Sequence, residues 1–194
     1  MTRKRVAILI SGRGSNMRAL IEAAKEKEYP AEIALVISNV ADAGGLAFAR
    51  KHGIPAEVIE HGKFPSREIF DNAVDIALTK ADIEIVALAG FMRLLSTRFV
   101  EKWQGRMINV HPSLLPAYKG LHTHRRAIEA QEKFAGCTVH FVTPALDDGP
   151  AILQAKVPIL PGDTEETLAA RVLEQEHKIY PQALRLVAEG KAKF

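Results

Sequence analysis

Asn109 and His111 stand two residues apart in Met107-Ile108-Asn109-Val110-His111-Pro112, where the flanking residues are apolar. The apolar run reads as a short buried strand over 107–110, and on an extended backbone residues two apart leave the same face. Pro112 removes a backbone donor and biases His111 toward an extended conformation, so the strand ends there and a loop opens. One amide and one imidazole thus leave a strand terminus together. An amide N–H can donate to a developing oxyanion, and an imidazole can carry a proton near neutral pH, which suits addition to a carbonyl. The plainer alternative for such a pair is a satisfied polar group in a core.

A second group with chemistry lies near the N-terminus. Val6–Ile10 reads as a strand buried on both faces, and Met17, Leu20, Ile21 and Ala24 recur at helical spacing. Between them runs Ser11-Gly12-Arg13-Gly14-Ser15-Asn16, a glycine-containing turn into a helix N-terminus. Free backbone amides and the positive end of the helix dipole make such a turn an anion site. A dinucleotide fingerprint would need glycine at Met17 and an acidic residue where Ser38 and Asn39 stand. The loop therefore predicts a single phosphate group, a tight turn without ligand being the alternative.

Three further stretches are candidates. Gly90-Phe91-Met92-Arg93-Leu94-Leu95 is an apolar loop at a strand's carboxyl edge, suited to a flat ring or simply to core packing. His122 and His124 pose the question of a metal, but no carboxylate or Cys completes the set at a familiar spacing, so no metal site is expected. Asp147 and Asp148 sit in a Gly-Pro loop whose default is turn chemistry, although a carboxylate beside His111 would fix its tautomer and favour the imidazolium.

The elements that must carry these groups alternate. Strands are expected over Ile33–Ile37, Ala56–Ile59, Ile83–Ala89, Thr138–Val142 and Ala151–Val157. Helices are expected over Ala43–His52, from Ser66 with Ile69, Phe70, Ala73, Val74 and Ala77 inward, over Thr97–Trp103 and over His122–Glu129. A last helix starts at Thr164 and turns Leu168, Val172, Ile179 and Leu184 to the core; Pro181 should kink or restart it, and 191–194 should fray. The fold class is α/β: a Rossmann-like, mostly parallel twisted sheet with flanking helices, C-terminal antiparallel strands and a long last helix, in one domain over 1–194. The 194 residues are 47% hydrophobic and 25% charged, enough for one sizeable core. The net charge of +3 is spread along the chain rather than gathered with aromatics, which argues against nucleic acid and leaves anionic small molecules open. The lone Cys137 excludes an internal disulfide, and no apolar run approaches a membrane span or a signal peptide, so a soluble cytoplasmic protein is expected.

Six stretches, in order, resemble the folate-dependent phosphoribosylglycinamide formyltransferases of purine synthesis. They are Ile10–Asn16, Leu88–Arg93, Asn109–Pro116, Gly120–His124, Thr138–Val142 and Asp147–Pro150, spread over nearly the whole chain. The resemblance implies transfer of the formyl group of 10-formyltetrahydrofolate to the amine of glycinamide ribonucleotide, with no metal. It implies a catalytic set of Asn109, His111 and Asp147, in which Asn109 donates to the formyl oxygen, His111 supplies charge or a proton, and Asp147 supports the imidazolium. It places the ribonucleotide at Gly14, Ser15, Asn16 and Glu176, and the formylfolate at Arg67, Met92, Arg93, Leu94, Leu95, Asn109, Thr143, Pro144, Ala145, Leu146 and Asp147. Lys119 stands where relatives often carry proline, which would put a charge near the folate's glutamate tail, and Leu173 stands where some relatives have a polar residue, one turn before Glu176.

Two related activities share this core by resemblance. A hydrolase of the same folate carries an extra N-terminal domain, and transferases acting on methionyl-tRNA append a C-terminal one; the expected activity here is the ribonucleotide transferase. A non-catalytic sugar-phosphate-binding module, using only Gly14–Asn16, is the rival from another class. The expected partners are the two small-molecule substrates, with no nucleic acid and no membrane, and self-association into a homodimer is left open.

Overall fold

The computed structural model describes residues 2–194. A seven-stranded sheet carries the fold: β1 (Lys4–Ile10), β2 (Ala31–Ser38), β3 (Ala56–Val58), β4 (Ile85–Leu88), β5 (Met107–His111), β6 (Phe134–Phe141) and β7 (Ala151–Pro158). Its order is β3-β2-β1-β4-β5-β6-β7. The first five strands are parallel, whereas β5–β6 and β6–β7 pair antiparallel. The order reverses direction at β1, so the carboxyl ends of β1 and β4 flank the crevice where open α/β sheets bind ligands.

Strand alternation divides the core in two. Val6, Ile8 and Ile10 of β1 face one layer and Ala7 and Leu9 the other, and all five are fully buried. The first layer holds α1 (Ser15–Ala24), α2 (Gly44–Lys51) and α6 (Glu165–Ala188), through Leu20, Leu46, Leu168 and Tyr180 among others. The second holds α3 (Arg67–Lys80) and α4 (Thr97–Lys102), through Phe70, Val74, Leu78, Phe99 and Val100. Burying an aliphatic side chain of this size contributes roughly 1.5–3 kcal/mol, so a strand apolar on both faces is stable only between two such layers. α5 (Thr123–Glu129) precedes β6.

The expected elements are all present, with boundaries moved by at most four residues, the largest shift being the start of β6. Two expectations change. Ile69 is exposed (49%) rather than inward, because Phe70, Val74, Ala77 and Leu78 set the buried stripe of α3 and Ile69 lies off it. Ser66 does cap this helix, accepting from the Ile69 N–H at 3.3 Å. The last helix runs unbroken through Pro181, flanked by buried Ile179, Tyr180, Ala183 and Leu184, whose packing outweighs the one lost backbone bond. Residues 191–194 lie beyond the last helix, and there Phe194 sets its ring edge-on to Phe141 with centroids 5.9 Å apart. Cys137 is fully buried, and burial pushes its thiol up to about 12, which leaves it protonated. No helix among the described residues is long and apolar enough to cross a membrane.

Candidate active site

Register places the candidate groups along one sheet edge. Leu9 pairs with Leu88, and Leu88 with Asn109, so the carboxyl ends of β1, β4 and β5 are level. Asn109 and His111 share a face of β5 with Met107, as alternation requires. His111 is 6% exposed. Its Nε2 lies 3.0 Å from the Tyr118 carbonyl, which can only accept, so Nε2 carries a proton. Its Nδ1 lies 3.4 Å from Asp147 Oδ2, within ion-pair reach whenever the ring carries a second proton.

Asp147 reaches His111 through a tight loop. It adopts a left-handed backbone with φ of 48°, and its Oδ2 also accepts from the Gly120 N–H at 2.9 Å. Left-handed conformations at non-glycine residues persist where the surroundings hold them, and they cluster at ligand sites. Gly149 makes the turn possible: a Cβ there would fall 1.7 Å from the Phe141 carbonyl oxygen. Asp148 points away and pairs with Lys119, which holds its carboxyl below the usual range. The charge of Lys119 is thereby matched within the chain.

His140, across the sheet, completes the cluster and was not among the expected residues. It pairs with Asn109 in the β5–β6 ladder, and burial holds its imidazole below the usual range and therefore neutral. Its Nδ1 lies 2.8 Å from the Phe141 carbonyl oxygen and must donate, which leaves Nε2 as the acceptor for Asn109 Nδ2 at 3.3 Å. The amide of Asn109 is thus oriented with one N–H held and the other free. A histidine inside the otherwise apolar Val139-His140-Phe141 was the available signal.

The glycine turn into the first helix forms as its residues predict. Gly14 takes a left-handed φ of 70° as the cap of α1, and a Cβ on it would lie 3.0 Å from Met17 Cε and 3.3 Å from Gly45 Cα. Ser15 opens the helix, half-buried. Asn16 is buried and its Nδ2 donates to Glu176 Oε2 at 2.7 Å, which brings the last helix to the loop. Burial raises the Glu176 carboxyl above its usual range, and the Asn16 bond opposes that shift. Leu173 is half-buried one turn earlier.

The other expected contact residues lie on loops and at a helix start. Met92 and Leu94 are 68% and 59% exposed at the crevice, Leu95 packs on the second core layer, and Arg93 is half-buried. Thr143 Oγ1 donates to the Ala145 carbonyl at 3.2 Å within the loop whose Pro144, Ala145 and Leu146 are exposed. Arg67 is exposed at the start of α3, three residues before Phe70, whose ring stacks on Phe91 at 6.5 Å. Among the described residues no three His, Cys, Asp or Glu side chains converge as a metal site requires.

The fold is shared with known proteins. A family model described as formyl transferase matches residues 4–184. The chain belongs to the formyl transferase family, among its phosphoribosylglycinamide formyltransferases. It is 47% identical to the phosphoribosylglycinamide formyltransferase of Escherichia coli (strain K12), over 97% of this chain and 89% of that protein. A crystal structure of phosphoribosylglycinamide formyltransferase from Brucella melitensis superposes with a TM-score of 0.93 at 54% identity, covering 96% of each chain. The chain is also 54% identical, over 97% of its length, to the trifunctional purine biosynthetic protein adenosine-3 of Drosophila pseudoobscura pseudoobscura, of which it spans 14%. Within this formyl transferase family the sheet, its two antiparallel strands and the long last helix form the shared fold.

Proposed function

We propose that this chain transfers the formyl group of 10-formyltetrahydrofolate to the amine of glycinamide ribonucleotide, giving the formylated ribonucleotide and tetrahydrofolate. The observation that carries the reading is the Asn109–His140 contact, which holds one amide N–H and leaves the second without a partner among the described residues, on the strand end that also carries His111, the neighbour of Asp147. Attack by the amine nitrogen on the formyl carbon puts negative charge on the formyl oxygen. That charge meets a preoriented donor in Asn109 and a positive neighbour in His111, and such donors act most strongly where water is excluded. When the carbon–N10 bond breaks, the proton shed by the amine is needed on N10, and the Asp147 carboxylate of the His111–Asp147 pair is the group able to relay it.

The remaining residues serve binding. The amides around Gly14–Asn16 at the start of α1 suit the ribonucleotide phosphate, and Glu176, joined to Asn16, suits a sugar hydroxyl. Exposed Met92, Leu94 and Leu146 give the apolar wall a pterin ring needs, with Arg67, Arg93, Leu95 and Thr143–Asp147 around it. A coupled assay with both substrates tests the reading. Ribonucleotide-dependent release of tetrahydrofolate is expected; formylfolate consumed equally fast without ribonucleotide would leave a hydrolase instead.

A further inference from the structure

The two loops that leave the sheet on either side of the crevice are tied to each other. Ser11, the first residue after β1, donates its backbone N–H to the Gly90 carbonyl at 3.1 Å. Its hydroxyl makes the second tie, accepting from the Met92 N–H at 2.8 Å. The hydroxyl proton goes to Asn39 Oδ1 at 2.6 Å, because an amide oxygen can only accept. Asn39 is 4% exposed, and its Nδ2 lies 3.1 Å from His61 Nδ1. Turning the Ser11 hydroxyl away from Met92 would therefore also strand a buried amide oxygen, which costs on the order of 1–3 kcal/mol.

Met92 begins the stretch assigned above to the formylfolate, and Ser11 leads directly into the loop assigned to the ribonucleotide. The far end of the Met92 loop has its own anchor, since buried Asp71 accepts from the Ser96 N–H at 2.6 Å. The near end depends on Ser11. Transfer between two bound substrates is sensitive to how the reacting atoms are held relative to each other, more than to how tightly either is bound.

We propose that Ser11 is a positioning residue whose hydroxyl, through Met92, holds the formylfolate loop in register with the ribonucleotide loop, so that the amine meets the formyl carbon. This role rests on the transferase reading. Ser11 touches neither reacting atom, and its effect should appear in turnover rather than in the affinity for either substrate alone.

Steady-state kinetics of Ser11→Ala and Ser11→Thr, with each substrate varied in turn, test the proposal. Ser11→Ala should lower kcat by on the order of tenfold to a hundredfold, with both KM values within about threefold of wild type. Ser11→Thr keeps a hydroxyl and should restore most of the rate. An unchanged kcat in Ser11→Ala, or a change confined to the KM for formylfolate, overturns the role. Amide hydrogen exchange at Met92 supplies a readout that needs no turnover: exchange should quicken in Ser11→Ala and stay near wild type in Ser11→Thr. Unchanged exchange at Met92 in folded Ser11→Ala removes the tether itself. A wild type without ribonucleotide-dependent transfer removes the transferase reading, and the alignment role with it, even where the Met92 exchange shows the tether intact.

Discussion

Asn109 Nδ2 and His140 Nε2 face each other across the β5–β6 pair at 3.3 Å, and the tautomer that permits the contact is set on the far side of the ring by the Phe141 carbonyl at 2.8 Å. A backbone oxygen in the core thus decides which way an amide points in the crevice. Removing the donor and removing its support should have different sizes. Asn109→Ala is expected to lower kcat by on the order of a hundredfold or more, as loss of an oxyanion donor does. His140→Ala leaves the amide present but free to turn, and a loss of roughly tenfold is expected from the lost orientation. Equal kcat values for His140→Ala and wild type would detach His140 from the chemistry.

Asp147→Asn separates charge from shape. Its amide oxygen can still accept from the Gly120 N–H, so the loop should keep its form, while the negative charge beside His111 is lost. A fall in kcat of on the order of ten- to a hundredfold is expected with an unchanged melting temperature, since only the proton relay and the charge pairing are removed. Retention of the full rate would assign the carboxylate to loop structure alone.

The groups that share a strand were legible before the structure, and the groups that depend on register were not. Asn109 and His111 follow from period two on a single strand, and Gly14 from one turn into one helix. His140 reaches Asn109 only because β6 pairs with β5 at a particular offset, which depends on the whole hairpin. The bond between Met92 and Ser11 spans 81 positions, and neither residue advertises it. Asp147 was legible as a loop carboxylate from its Gly-Pro setting, but its approach to His111 needs a left-handed backbone that residue type alone does not announce. The misplaced Ile69 and the unbroken helix at Pro181 share a cause, local pattern yielding to packing across the second and first core layers respectively.

Glu176 should leave a mark on stability against pH. Burial raises its carboxyl above the usual 4.5, so the folded state holds a proton that the unfolded state has released. Its contribution is then fully present below pH 4.5 and is lost as pH rises through the folded value. Glu176→Gln keeps an oxygen for Asn16 Nδ2 and has no charge to bury. The variant should melt higher than wild type near neutral pH, with the difference shrinking toward pH 4.5. Parallel melting curves across that range would contradict the burial argument.

Gly149 is expected to tolerate no side chain. A Cβ placed 1.7 Å from the Phe141 oxygen must push apart β6 and the loop that carries Asp147. Gly149→Ala should cost on the order of 2–4 kcal/mol in urea denaturation, within the range of severe strain. It should also lower kcat through misplacement of Asp147, and a variant with wild-type stability would show that the loop yields freely.

The Gly14 loop separates anchoring from chemistry. A transferase must hold an amine at the formyl carbon, and a phosphate bound some distance away supplies the binding energy that positions it. Gly14 sits at a φ of 70°, and its Cβ position is already 3.0 Å from Met17 Cε and 3.3 Å from Gly45 Cα. The branches of valine have no room on that side and would turn into the space where the backbone amides must meet the anion. Gly14→Val is therefore expected to raise the ribonucleotide KM by at least roughly tenfold, the loss of a charge-assisted contact, while formylfolate affinity stays near normal. Circular dichroism confirms first that the variant is folded, because the left-handed backbone also strains any residue with a Cβ. A folded Gly14→Val with an unchanged ribonucleotide KM would place the phosphate elsewhere and leave the α1 terminus without a ligand.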